Sequence, residues 1–298
     1  MQKNLGKIWE AKKMSKKVAI VSDSTSGLPD EMAKEHGIFT SYLMIIFGDE
    51  SYQEFKEITP EKFIEMCRAQ SELPTTSQPS IGLTVELYEK ILAEGYDEII
   101  HITISSGLSG SYQSAVSAAE MVNATKIHVV DSGTVAYPQG ALAIKAAELA
   151  NELSDTKEIL AYLENMKKDV GLYAAIYTLT NLKKGGRLSP AEASLGSLLQ
   201  IKPILKLNKE SGQIEAAGKV RTFKKAIAQL IKTAKEAGLT EEYEIGLLHI
   251  KNEEGLAELR SEIKKIYPNN QIHEMPLSLV VSTHAGEGAL AITWAKTK

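Results

Sequence analysis

Short apolar runs alternate with longer segments of helical periodicity through the first half of the chain. Val18-Ala19-Ile20-Val21 predicts a strand, followed by the turn-rich Ser22-Asp23-Ser24-Thr25-Ser26-Gly27, and Pro29 opens a helix to about His36. The β-branched and aromatic run Ile38 to Phe47 predicts one strand, ended by Gly48-Asp49. Thr59-Pro60-Glu61 sets an N-cap hydroxyl before a proline at the first helical position, and so predicts a helix to about Gln70. Two prolines and four hydroxyls keep Leu73-Pro74-Thr75-Thr76-Ser77-Gln78-Pro79-Ser80 out of regular structure. A helix follows to about Glu94, where Gly95 stops it. Asp97 to Ile104 reads as a buried strand, Ser105-Ser106-Gly107-Leu108-Ser109-Gly110 as a turn, and an Ala-rich helix then runs to about Asn123. A strand at Lys126 to Val130 and a helix at about Pro138 to Leu153 complete an alternation that implies a parallel, helix-covered sheet.

The second half has a different rhythm. A helix at about Thr156 to Asp169 leads to a strand at Leu172 to Thr178, then to the turn Lys183-Lys184-Gly185-Gly186-Arg187 and a short helix near Ala191 to Leu199. Lys202 to Leu207 and Gln213 to Lys219 bracket Asn208-Lys209-Glu210-Ser211-Gly212 as a hairpin. Helices at Phe223 to Ala237 and Glu253 to Ile266 are interleaved with strands at Glu244 to Ile250, Gln271 to Glu274, Ser278 to Ser282 and Ala289 to Thr293. Hairpins suggest a mixed or antiparallel sheet, hence a second α/β domain. The expected division is an N-terminal extension at 1–16, a parallel-sheet domain at 17–168 and a second domain at 169–298.

Composition narrows the function. The chain of 298 residues is 43% hydrophobic, enough for cores of this size, and its net charge of −4 comes with no basic block. Nucleic acid is therefore not expected as a partner, because phosphate binding needs clustered cations. A single cysteine, Cys67, leaves no disulfide framework and no cysteine metal site. No apolar run approaches the roughly 20 residues that span a bilayer. Residues 1–17 carry six lysines and no apolar core segment, unlike a secretory signal. A cytoplasmic protein that does not span the membrane is the expectation.

Three hydroxyl-rich turns carry the candidate chemistry: Ser22 to Ser26, Thr75 to Ser80 and Ser105 to Ser111. Helix N-termini offer unpaired N–H groups and partial positive charge, and small hydroxylated residues let an anion approach them. Ordinary N-capping is the alternative for each turn taken singly. His284 between Thr283 and Ala285-Gly286-Glu287-Gly288 is a candidate donor to a ligand anion, and Arg187 beside two glycines suits an anionic partner. Several catalytic motifs fail. Gly107-Leu108-Ser109-Gly110-Ser111 has serine where the nucleophile elbow needs glycine. Ser154-Asp155-Thr156-Lys157 lacks companion motifs, Gly286, Gly288 and Ala291 fall too near the chain end for a dinucleotide fold, and no lysine completes a phosphate loop.

Taken in order, six blocks carry a resemblance: Ser22-Asp23-Ser24-Thr25-Ser26-Gly27-Leu28-Pro29, Pro74 to Ser80, Ile104 to Gln113, Val130-Asp131-Ser132, Gly185-Gly186-Arg187-Leu188 and His284 to Gly288. Over residues 17–298 the chain resembles the bacterial DegV family of fatty-acid-binding proteins. The resemblance implies the two-domain α/β fold shared with the dihydroxyacetone-kinase substrate subunit, with a long-chain fatty acid such as palmitate lying between a parallel-sheet and a mixed-sheet domain. It implies a carboxylate site at Thr76, Ser77, Ser105, Ser106 and His284, kinase docking at Arg187, no metal and no cofactor besides the fatty acid itself. A separate ATP-dependent kinase subunit would phosphorylate the bound carboxylate, and the acyl phosphate would feed phospholipid synthesis. Glu287 departs from the family pattern, which has proline there. A stand-alone phosphotransferase or hydrolase on a small polar substrate, or a regulatory lipid-sensing protein, are the competing expectations.

Overall fold

In the computed structural model, residues 16–70, 72–152, 155–188 and 201–297 are described. The helix expected near Ala191 to Leu199 and nearly all of the N-terminal extension lie outside them. Thirteen strands can be followed: β1 (Val18–Asp23), β2 (Ile38–Ser41), β3 (Met44–Phe47), β4 (Glu50–Gln53), β5 (Thr75–Ser77), β6 (Glu98–Thr103), β7 (Ile127–Asp131), β8 (Val170–Ala175), β9 (Lys202–Leu207), β10 (Ile214–Val220), β11 (Glu244–His249), β12 (Ile272–Pro276) and β13 (Leu290–Ala295). The helices are α1 (Asp30–Glu35), α2 (Pro60–Ala69), α3 (Ile81–Ala93), α4 (Ser111–Val122), α5 (Tyr137–Glu152), α6 (Thr156–Met166), α7 (Thr180–Gly185), α8 (Phe223–Glu236), α9 (Glu253–Ile266) and α10 (Leu279–Ala285).

The fold is α/β, with a parallel sheet and a mixed sheet. Strands β2-β1-β6-β7 form the four-stranded sheet, and all three of its pairings are parallel. Both β1 and β6 are buried at every residue, as expected for strands covered on both faces. The six-stranded sheet runs β10-β9-β8-β13-β11-β12, antiparallel except for β11 with β12. A third sheet, β4-β3-β5, is small and antiparallel. One buried cluster joins the two larger sheets: Ile100 and Ile102 of β6 pack in it with α5, Leu172 of β8 and Ala291 of β13. Gly171 in β8 faces Trp294 so closely that a methyl group there would overlap the indole ring. Gly171→Ala is expected to cost about 1–3 kcal/mol of stability by overpacking, read from chemical denaturation.

Most caps act as their sequence implies. Thr59, Ser80 and Thr222 each accept a backbone N–H three residues on, and α2, α3 and α8 begin there. Four expectations need correction. The run Ile38 to Phe47 is two strands in two sheets, because the chain crosses between them at Tyr42-Leu43, where the Ser24 hydroxyl takes the Leu43 N–H at 2.9 Å. Thr75–Ser77 is a strand rather than irregular, since Met44, Ile45 and Ile46 offer it an antiparallel edge. Lys183, Lys184 and Gly185 finish helix α7, and only Gly186 adopts a left-handed turn. Residues 278–282 begin a helix, not a strand: Ser278 caps Val281 N–H, and a buried carboxylate takes the N–H of Val280. Two adjacent valines suggest a strand, but tertiary contacts decide.

Candidate functional site

A cavity of about 900 Å³, its open mouth included, lies between the first half of the chain and the six-stranded sheet. Leu172 and Ala174 of β8, Leu205 of β9 and Ala291 of β13 form one wall, which Ile104, Val135 and Ala136 face from the other half. Alternation along β8 turns residues 172 and 174 the same way, and the small Ala174 and Ala291 leave the space open. From α10, Val280, Val281, His284 and Ala285 add a third side.

Among the described residues, six polar ones line this otherwise apolar space: Thr76, Ser77, Gln78, Ser109, Arg187 and His284. They are contiguous. Thr76 Oγ1 lies 2.8 Å from His284 Nε2, and Arg187 Nε donates to the Leu108 carbonyl at 3.1 Å, next to Ser109. The Gln78 side chain packs beside Gly110, and a second Arg187 bond reaches the Gly185 carbonyl. One end of the cavity is therefore polar and the remainder is hydrocarbon. Thr76, Arg187 and His284 also border an outer cleft with Thr75, Asn181 and Lys184, so the polar end is reached from outside.

His284 is held as a neutral ring. Burial first, then the Arg187 guanidinium, lowers its pKa to about 4. Its Nδ1 is buried without a partner among the described residues and lies against Gly185, where a methyl group would overlap the ring. A buried N–H is rarely left orphaned, whereas an unpaired acceptor is less costly, and a lone pair suits the neighbouring cation. The proton accordingly belongs on Nε2, donated to Thr76 Oγ1, and the Thr76 hydroxyl hydrogen is left for a ligand acceptor. This pair is poorly suited to general-base catalysis, because a ring with pKa about 4 takes up a proton reluctantly and no carboxylate orients Nδ1 among the described residues.

That lowered pKa also has a consequence for stability. Between about pH 4 and the ordinary value of 6.5 the unfolded chain binds more protons at His284 than the folded one. Stability contributed here is present above that range and is lost as pH falls through it. The unaltered protein should therefore lose more stability than His284→Gln between about pH 7 and about pH 4.5, as measured by urea denaturation at both values.

Of the residues expected from sequence, Thr76, Ser77 and His284 come together at the polar end, and Arg187 joins them. Arg187 is half-buried and turned into the cavity rather than standing on an exposed loop. Ser105 and Ser106 do not line the cavity. The Ser105 hydroxyl, 1% exposed, donates to the Gly212 carbonyl at 2.9 Å and accepts the Gly107 N–H, tying down the hairpin between β9 and β10. Ser106 is exposed and donates its N–H to Asp131. Ser109 and Gln78 take their place, and nothing in the spacing of the serines singles out Ser109. Glu287, the departure from the family pattern, is exposed and forms a 2.9 Å ion pair with Arg68 of α2. No described helix is long and apolar enough to cross a membrane.

A family model described as "Uncharacterised protein, DegV family" matches residues 17–297. The DegV protein of Bacillus subtilis is 40% identical over 279 residues, covering 93% of this chain and 98% of its own. The crystal structure of DegV from Bacillus subtilis, described as a fatty acid binding protein, superposes with a TM-score of 0.85 over 95% of this chain and 100% of that one, at 39% identity. A Thermus thermophilus DegV family protein, whose structure is described for its fatty acid binding, reaches 0.86 at 32% identity over 94% and 99%. A Thermotoga maritima protein said to reveal fatty acid binding function reaches 0.83 at 30% identity over 94% and 99%. Sequence and fold agree over nearly the whole length, and the chain belongs to the DegV family.

Proposed function

We propose that this chain binds one long-chain fatty acid, with its tail in the apolar cavity and its carboxylate at the polar end. The observation that carries this reading is the cavity itself: hydrocarbon on three sides, with hydroxyls, a neutral histidine and an arginine gathered at one end. A saturated C16 tail buries about 14 methylenes, roughly 11 kcal/mol gross at ~0.8 kcal/mol each. Immobilisation takes back a large part of that, so the tail supplies affinity and the polar end supplies orientation. Thr76 donates its hydroxyl hydrogen to the carboxylate, with Ser77, Ser109 and Arg187 as further donors. Family members described as fatty acid binding proteins support the ligand class.

In this reading the chain does no chemistry of its own. Residues 17–168 and 169–298 act as two domains that enclose the ligand. The bound carboxylate borders the outer cleft, which suits presentation to a separate ATP-dependent kinase subunit that forms the acyl phosphate for phospholipid synthesis. Arg187 serves the head group from inside and borders the face such a partner would meet. Thr76→Ala is expected to weaken palmitate binding by about 1.5–3 kcal/mol through one lost bond to a charged acceptor, and to lower the melting temperature as well, because the His284 Nε2–H loses its acceptor. Titration calorimetry with palmitate tests this, and unchanged affinity would remove Thr76 from the site.

A further inference from the structure

Glu54 is fully buried, and none of its contacts among the described residues is with a cation. Its carboxylate is held instead by neutral donors. Ser24 Oγ donates to Oε1 at 2.5 Å, and Val280 N–H donates to Oε2 at 3.0 Å. A buried carboxyl is retained at a cost unless its bonds do something specific. The residue after it, Phe55, adopts φ 63°, a conformation that L side chains rarely take. Strain of that kind persists where the surroundings enforce it.

Sheet register shows what these bonds connect. Met44 on β3 pairs with Gln53 on one side and with Ser77 on the other. Glu54 follows Gln53, and Thr76 precedes Ser77, so both project from the same small sheet. Both also reach helix α10: Glu54 holds its first turn through Val280, and Thr76 meets its last turn through His284. Val280, Val281 and His284 line the cavity. The sheet and the helix thus touch through two polar bonds, one at each end of a two-turn helix. We propose that Glu54 is a positioning residue for the head-group site: by fixing the first turn of α10 to the small sheet, it sets the Thr76–His284 pair in the register that holds a carboxylate. The inference rests on the fatty-acid reading and assigns to it a residue that does not touch the ligand.

Glu54→Gln keeps the shape but cannot accept from both Ser24 and Val280 while its amide faces one of them. The test measures dissociation constants for palmitate and for 1-hexadecanol, together with the nitrogen chemical shifts of the His284 ring in the ligand-free protein. Palmitate affinity should fall about tenfold or more, the scale of one charge-assisted bond, while hexadecanol binding, which depends on the tail, should change far less, and the His284 shifts should move. Ser24→Ala, which removes the Oε1 donor together with the acceptor of the Leu43 N–H, should act in the same direction and serves if Glu54→Gln does not fold. Equal weakening of both ligands would show a merely structural role and overturn the inference, as would unchanged palmitate affinity. If the unaltered protein takes up neither ligand, the fatty-acid reading fails, and the inference with it.

Discussion

Replacing Ala174 with phenylalanine is expected to reduce palmitate affinity more than a hundredfold while leaving the fold intact. Ala174 sits mid-wall between Leu205 and Ala291, its partners on the adjacent strands, and all three line the cavity. A phenyl ring there occupies space that a tail would fill. Displacing about four methylenes forfeits ~3 kcal/mol at ~0.8 kcal/mol each. The ring enters open space rather than a close-packed core, so stability should hold or rise, as cavity filling commonly gives about 0.5–2 kcal/mol. Calorimetry with palmitate, alongside thermal denaturation, separates the two effects. Retained affinity in a folded variant would mean that the acyl chain lies elsewhere.

Gly185→Ala is expected to weaken palmitate binding by roughly 10- to 100-fold, about as much as losing the Thr76 hydroxyl, since a bond to a charged group is worth about 1.5–3 kcal/mol. The glycine closes α7 with its backbone against Nδ1 of His284, and the ring leaves no room for a methyl group. Alanine would push the imidazole out of line with Thr76, and the 2.8 Å bond between them would be lost. Because both changes disable one relay, Gly185→Ala combined with Thr76→Ala should cost little more than either alone. Additive losses would show that Gly185 and Thr76 act on the ligand separately.

Sequence periodicity made the architecture legible where one principle governed a segment. Continuous apolar runs marked β1 and β6, hydroxyls before proline or apolar runs marked helix starts, and Asn208 to Gly212 marked a hairpin. It misled where neighbours decide. Val280 and Val281 are strand-like residues in a helix, because Ser278 and Glu54 satisfy its first turn. Thr75 to Ser77 is a strand only because β3 lies alongside. The site was legible as blocks rather than as residues. Thr76, Ser77 and His284 lie in the blocks that carry the family resemblance, and they meet in space. Within Ser105 to Ser111, the pattern cannot tell a serine that faces the cavity from one that anchors a hairpin. Ser109 lines the cavity because the turn of backbone after β6 directs it there, while Ser105 is claimed by Gly212. Glu54 carries no local signal at all, since its partners at Ser24 and Val280 are distant in sequence.

The central claim is that a fatty acid occupies the cavity. Native mass spectrometry of the protein purified from a bacterial host, before and after incubation with palmitate, tests it most directly. The expected spectrum shows each chain carrying the added mass of one long-chain fatty acid, and incubation replaces that mass with palmitate, one for one. A bare chain mass both before and after incubation would contradict the account.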